Sequence, residues 1–512
     1  MKQNFQYKIV GCFTAFCILM AVAGARVYTA GSNAALKTDI NTANSYVFEL
    51  KNLRGNIYDF SGKPLTSDTL QYYSLDLSGK TPVLSKTDTK TEGENIYSFC
   101  TAARYSNSTL SRHLIGYTDL QNKGVTGMEK AYDDILRSNN YLKISIPKRA
   151  DGTINKTAKP EIYEGEGGGA VYLTIDKDLQ KIVEDNCKDI KKGAVVITEI
   201  SSGKIRAMAS FPNFNQNNVA KSLNDATAPL INRALGSFSV GSVFKPCVAI
   251  CALEGGLFDF TQTCAGSLTV EGHTFNCHKL EGHGKVDLKN AIAQSCNTYF
   301  YSISQNIDKS ALYNKATRLG FGASITLCDG LTTAAGSLPP YELLNSSKRT
   351  VANFAIGQGS FTTSPIVLSN LYCAIANGGF YYMPTVVEKT VKDGTETYTQ
   401  GGAKIKVTGK EYADYIKTCL KEVIISGTGK AAASDIVDLC GKTATAQTGQ
   451  IDKGGELLNL WFCGFFPYDN PIYTVVILKE GAHSGEASLC ENFKNIAQDI
   501  TINKNLLDNS VK

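Results

Sequence analysis

Three short runs carry residue types suited to nucleophilic attack on a carbonyl: Ser242-Val243-Phe244-Lys245, Ser295-Cys296-Asn297 and Lys442-Thr443-Ala444-Thr445. A serine hydroxyl is a poor nucleophile until a neighbouring base takes its proton. Ser242 and Lys245 are three apart, which on a helix puts both side chains on one face, a turn from each other. Gly241 permits a sharp turn before Ser242. Pro246 is tolerated in a first helical turn, where its missing N–H would have no partner anyway. A helix N-terminus favours developing negative charge, and a lysine desolvated there can lose its proton and act as a base.

The second and third runs supply the remaining parts. Ser295 and Asn297, two apart in a tight loop, can both face a cleft. The hydroxyl can relay a proton to a leaving amine, and the amide can hold a substrate carbonyl. Lys442 to Ala446 alternates as a strand does. Lys442 is expected to point into the cleft and offer positive potential to a carboxylate, with the Thr443 hydroxyl binding the same group. Thr445 would add a backbone N–H that, with that of Ser242, makes an oxyanion hole. Taken singly, the runs also fit a helix cap with a solvated lysine, a Ser/Asn turn and an exposed strand. Their order and flanks make them a site.

The elements that must hold these runs are legible around them. Ala170 to Asp176 reads as a strand. Gly193 to Ile200 and Lys204 to Phe211 read as strands joined by Ser201-Ser202-Gly203, a hairpin signal. Leu460 to Phe466 and Tyr473 to Leu478 add two more. Helical spacing is expected around 177–187, 243–255, 287–293, 307–318, 364–377 and 489–505. The fold class is therefore α+β, an antiparallel sheet with a helical cluster packed on it. Gly165 to Gly169 reads as a linker. The polar, Thr- and Ser-rich stretch before it, with short apolar alternations, predicts a β-rich pedestal.

Ile9 to Ala25 carries no charged residue, with Lys2 and Lys8 before it and Arg26 after it. That is the short end of a membrane span, with the N-terminus on the inside. Ala21-Val22-Ala23 also fits a signal-peptide cleavage pattern; the retained anchor is the preferred reading. The expected order is a cytoplasmic tail over 1–7, a single-pass anchor over 8–30, a pedestal over 31–165 and an extracytoplasmic catalytic domain over 166–512.

A chain of 512 residues is too long for one compact domain. Its net charge of +5 is small for that length and argues against nucleic acid as a partner. No P-loop, GxGxxG or HExxH is present, and no cofactor or metal is expected. The 15 cysteines are an odd number and mostly sit in apolar runs, so they read as small core residues of a chain whose thiols stay reduced. The segment Cys264 to His283 stands apart, because three of the five histidines (His273, His278 and His283) cluster there with Cys264 and Cys277. A Cys264–Cys277 disulfide is the preferred reading and would add about 3 kcal/mol. The others are free residues on a loop, or a zinc site of unusual spacing.

Together, Gly241-Ser242-Val243-Phe244-Lys245-Pro246 and the two later runs resemble the motifs of class B penicillin-binding proteins. The resemblance extends over nearly the whole chain beyond the anchor. Arg54 to Asp59 with Gly62 to Leu65, His113 to Tyr117 and Gly124 to Glu129 resemble that family's pedestal segments, although Phe60 and Ser61 depart from its pattern. Leu173 to Asp176, Gly357-Gln358-Gly359 with Thr363-Ser364-Pro365, and Trp461 to Phe465 resemble its later landmarks.

The resemblance implies a peptidoglycan D,D-transpeptidase. Ser242 would be the nucleophile, Lys245 the base, and Ser295, Asn297 and Lys442 supporting residues. Thr443 and Thr445 would bind substrate. Stem peptides and β-lactam antibiotics would be its ligands and a membrane glycan polymerase its partner. The alternatives are a β-lactamase or D,D-carboxypeptidase and a non-catalytic scaffold of wall synthesis. Ala444 stands where the family has glycine, and the expected effect is a narrower cleft with slower acylation by bulky β-lactams.

Overall fold

The computed structural model describes residue 16 and residues 18–26, 45–51, 54–67, 69–137, 141–164 and 169–506. They group into two compact units, one drawn from 1–53, 69–103 and 139–167, the other from 54–68, 104–138 and 168–512. Two stretches that the linear reading puts in the pedestal, 54–68 and 104–138, thus cluster with the residues of the catalytic motifs. The expected tail and most of the expected anchor lie outside the described residues. Residue 16 and residues 18–26 are helical. No helix among the described residues is long and apolar enough to cross a membrane.

The first unit is β-rich. Its strands form two three-stranded antiparallel sheets, Ser45–Lys51, Tyr141–Pro147 and Glu161–Glu164 in one, Thr69–Asp76, Val83–Thr87 and Ile96–Ala103 in the other. Leu75, Leu77, Ile144, Ile146 and Ile154 are its buried core.

The second unit is built on a five-stranded sheet of β1 (Gly193–Glu199), β2 (Ile205–Phe211), β3 (Cys440–Asp452), β4 (Gly455–Phe466) and β5 (Tyr473–Ala482). The order is β2-β1-β5-β4-β3, antiparallel throughout. Its helices include α1 (Lys177–Asn186), α2 (Lys245–Glu254), α3 (Leu288–Ala293), α4 (Asn297–Ile303), α5 (Pro365–Ala376), α6 (Lys410–Ile425) and α7 (Cys490–Asn503).

The sheet is covered on both faces, so the unit has three layers. Val195, Ile197, Phe462, Val475 and Ile477 pack with α1 and α7. Val196, Trp461, Cys463, Val476 and Leu478 face the helical cluster that contains α2, α3, α5 and α6. Burial on both faces explains why β1 reads as the unbroken apolar run Ala194-Val195-Val196-Ile197 rather than as an alternation. The fully buried Val475, Val476, Ile477 and Leu478 each contribute on the order of 2 kcal/mol. Helix α5 is buried all round, as a core helix with no polar face must be. Helix α6 had no counterpart in the sequence reading. It carries an apolar stripe of Ala413, Ile416, Leu420 and Val423 that packs on α3 and β3.

The Arg54 and Glu129 segments are joined in this unit by a buried polar network. Arg54 Nε meets Glu129 Oε2 at 2.8 Å, and its Nη1 meets Asp133 Oδ1 at 2.7 Å. Arg104 Nε reaches Glu129 Oε1 at 2.6 Å, and the Tyr105 hydroxyl donates to the same oxygen at 2.7 Å. Glu129 is fully buried. Removing one partner of a buried pair leaves an uncompensated charge. Glu129→Ala leaves Arg104 without a carboxylate and Arg54 with Asp133 alone, and is expected to lower stability by about 3 kcal/mol. Chemical unfolding measures it, and an unchanged midpoint would refute the network's role.

Candidate active site

Ser242 sits in a 3-10 turn, Gly241–Phe244, that runs directly into α2. Gly241 has φ +70°, the left-handed region that favours glycine. Pro246 falls in the first turn of α2, as its missing N–H allows. The turn is held from several sides. Gly241 N donates to Gly357 O at 2.8 Å. The Trp461 indole donates to Ser239 O at 2.8 Å, and the Tyr372 hydroxyl to Val243 O at 3.0 Å. Phe238–Ser239 also pairs with Thr362–Thr363.

Lys245 is completely buried. Its amine donates to Ser295 O at 2.8 Å, Ser295 Oγ at 3.2 Å and Asn297 Oδ1 at 2.7 Å, and lies 5.2 Å from the centre of the Phe300 ring. All of these partners but the ring are uncharged oxygens, so nothing offsets the loss of water by a full ion pair. Burial pushes the Lys245 amine down to about 7. Ser295 occupies the turn between α3 and α4 with φ +54°, a strained conformation for a non-glycine residue. Cys296 N donates to Ala291 O at 2.9 Å and helps close that turn.

Strand β3 brings the third run to the sheet edge. Its alternation turns Lys442, Ala444 and Ala446 inward, while Thr443 and Thr445 are more exposed. Lys442 therefore does not project into the cleft as the sequence reading expects. It is completely buried, and its amine donates to Thr443 O at 3.0 Å. Burial first, and the charge of Lys245 second, hold its proton affinity well below that of an ordinary lysine. The Thr443 hydroxyl is tied to that of Thr428 at 2.8 Å. The Ala444 methyl packs beneath Gly241, where a Cβ would stand 3.4 Å from it.

A cavity of about 310 Å³ opens over these groups, lined among others by Ser242, Ser295, Asn297, Thr443, Ala444 and Thr445. Six of the positions named from the sequence thus share one cavity wall, and Lys245 and Lys442 lie behind it. Among the described residues the Ser242 hydroxyl has no hydrogen-bond partner. The arrangement holds a hydroxyl, a neutral-capable amine, a second hydroxyl and an amide around one space, the parts needed for acyl transfer.

The family comparison agrees. Residues 193–500 match the penicillin binding protein transpeptidase domain. The chain belongs to this family. It is 28% identical over 438 residues to the peptidoglycan D,D-transpeptidase MrdA of Acinetobacter baumannii, covering 75% of this chain and 64% of that one. It is 27% identical over 400 residues to the penicillin-binding protein PbpB of Mycobacterium tuberculosis, covering 73% and 57%. The chain thus spans less than two thirds of the length of these relatives. Penicillin binding protein 3 of M. tuberculosis complexed with aztreonam has the same fold, with TM-score 0.69 and 23% identity over 90% of this chain and 98% of that one. Penicillin-binding protein PBP2 of Helicobacter pylori matches with TM-score 0.71 and 21% identity, covering 90% and 99%.

Within the transpeptidase domain, the structure adds parts that sequence reasoning did not assign. Gly357 was marked only as a landmark. Its backbone lies against Gly241, and a Cβ there would stand 2.1 Å from Gly241 O. Trp461, like Gly357, was marked only as a landmark, while Tyr372 and Thr428 support the site without any signal in their local sequence. Gly357→Ala is expected to shift the Ser242 turn and slow acylation by labelled penicillin up to about 100-fold, since small misplacements of a reacting group carry penalties of that order. An unchanged rate in folded protein would show that the contact does not position Ser242.

Proposed function

We propose that this chain is a serine-type peptidoglycan D,D-transpeptidase, with Ser242 as nucleophile and Lys245 as base. The observation that carries this reading is the buried Lys245 amine, one turn after Ser242 and hydrogen-bonded to Ser295 and Asn297. Ser242 Oγ attacks the carbonyl of the terminal D-Ala–D-Ala bond of a stem peptide while its proton passes to neutral Lys245. The oxyanion takes hydrogen bonds from the N–H groups of Ser242 and Thr445. Ser295 relays a proton to the departing D-alanine, leaving an ester on Ser242. An amine from a second stem then attacks the ester and gives up a proton, which restores the Ser242 hydroxyl and forms the cross-link.

Thr443 and Thr445 hydroxyls bind the substrate carboxylate, and Asn297 holds a substrate amide. Lys442 acts from behind the wall by fixing Thr443 O on the strand that carries the Thr445 N–H. A β-lactam acylates Ser242 in the place of the stem peptide. The uncharged run from Ile9 serves as a single-pass anchor with the N-terminus inside and residues 166–512 outside, and the β-rich first unit serves as the pedestal. One structural neighbour comes from a peptidoglycan synthase complex that coordinates polymerization and crosslinking. That supports a separate glycan polymerase as partner.

Labelled penicillin tests the reading. The unaltered chain should take up one label per molecule and keep it, while Ser242→Ala takes up none. Label on Ser242→Ala would sink the assignment, and rapid release from the unaltered chain would point to a β-lactamase. The rate should also depend on pH in one direction. Only neutral Lys245 accepts a proton, and its amine titrates at about 7, so acylation should rise as pH climbs through about 7 and then level off. A profile that is flat from about pH 6 to about pH 8 would remove Lys245 as the base.

A further inference from the structure

Cys264, Cys277, His283 and Cys296 converge in the second unit, with one ligand atom from each lying within 4.8 Å of the others. The disulfide expected from the sequence is absent here, since Cys264 and Cys277 are both free thiols. The reason is geometric. Each thiol faces a shared centre with two further donors rather than facing the other alone. Cys264 ends the strand Gln262–Cys264, Cys277 follows the strand His273–Asn276, and His283 precedes the strand Gly284–Val286. Cys296 lies between Ser295 and Asn297. Cys264, Cys277 and His283 stand in the segment that the sequence analysis sets apart, with zinc among its readings, whereas Cys296 comes from a turn that only the folded chain brings to them.

We infer that these four residues bind one zinc ion in a closed tetrahedral site, and that the ion holds Ser295 and Asn297 in place around Lys245. Three thiolates and an imidazole suit zinc. Bond lengths of about 2.3 Å to sulfur and about 2.0–2.1 Å to nitrogen set a sulfur-to-nitrogen edge of about 3.6 Å in a tetrahedron. His283 Nδ1 lies 3.5 Å from Cys264 Sγ and 3.6 Å from Cys277 Sγ. Cys264, Cys277 and Cys296 are buried, as ligands of a structural site are. Four protein ligands leave no open position, so the ion is structural and takes no part in the bond changes.

Two links tie this site to the catalytic groups. Cys296 is the residue between Ser295 and Asn297, so a bond from its sulfur to the ion fixes the turn that both occupy. Asn297 N donates to Cys277 Sγ at 3.4 Å, while its side chain accepts from Lys245 at 2.7 Å. Such hydrogen bonds to ligand atoms orient a metal site and its surroundings. Around the ion, the two-stranded ladders Gln262–Cys264 with Gly284–Val286, and Ser267–Val270 with His273–Asn276, are of a size that is marginal without further support. The ion ties them to the start of α4.

The second half of this inference rests on the transpeptidase reading, and the experiment separates the two. The full chain, purified without chelator, should contain one zinc by elemental analysis. Cobalt(II) in its place should give thiolate charge-transfer absorption, and Cys264→Ser should lose both signals. Removing zinc from the unaltered chain with a chelator should slow penicillin labelling at least tenfold, and returning zinc should restore it. That arm does not depend on whether Cys264→Ser folds. A chain that carries no zinc and takes up none from excess zinc overturns the site. Zinc that can be removed with no change in labelling overturns its positioning role. Zinc without labelling in any form leaves the site standing and removes the acyl-transfer reading.

Discussion

The structure turns on one desolvated amine. Lys245 lies wholly inside the protein, and its three hydrogen-bond acceptors are uncharged. Burying an ammonium costs several kcal/mol unless an opposite charge offsets it, so the folded state lowers the proton affinity of the amine instead. The same burial that lowers the proton affinity of Lys245 makes its surroundings demanding. The acceptors must come from a fixed turn, and the fold supplies one in the strained Ser295 conformation at the start of α4.

The rest of the catalytic unit serves that requirement. The 3-10 turn that carries Ser242 runs into α2, which opens with Lys245, and α5, buried all round, backs that turn through Tyr372. Strand β4 pins the preceding loop with the Trp461 indole. Strand β3 stands at the sheet edge, where half of its backbone groups have no ladder partner and face the cavity. This is why a run of Lys-Thr-Ala-Thr at an edge can offer an N–H to a substrate, whereas the same run at the sheet centre could not. Lys442 and Ala444 then fall on the inward face, which makes them part of the support for the turn.

Local patterns in the sequence carried much of this. The spacing of Ser242 and Lys245 needs only one helical turn, and the alternation of Lys442 to Ala446 needs only a strand. Helices α1, α2, α3, α5 and α7 and all five sheet strands fall where periodicity and turn residues place them. Helices α4 and α6 had no counterpart in the sequence analysis, although the buried Ala413, Ile416, Leu420 and Val423 of α6 recur at helical spacing. Gly357 was legible as a glycine that mattered, but not as the residue on which the Gly241 backbone rests.

The amino-acid sequence by itself determined which chemical groups are available and which neighbours share a helix face or a strand, because those relations span only a few residues. Tertiary structure alone decided the burial of Lys245 and Lys442, and with it the proton affinity of each amine, because desolvation depends on elements far apart in the chain. It also decided the inward turn of Lys442, since which face of β3 is covered depends on the helices packed there. And it decided the meeting of Cys264, Cys277, His283 and Cys296, because no local period brings a strand end, the two ends of one loop and the turn before α4 to one point.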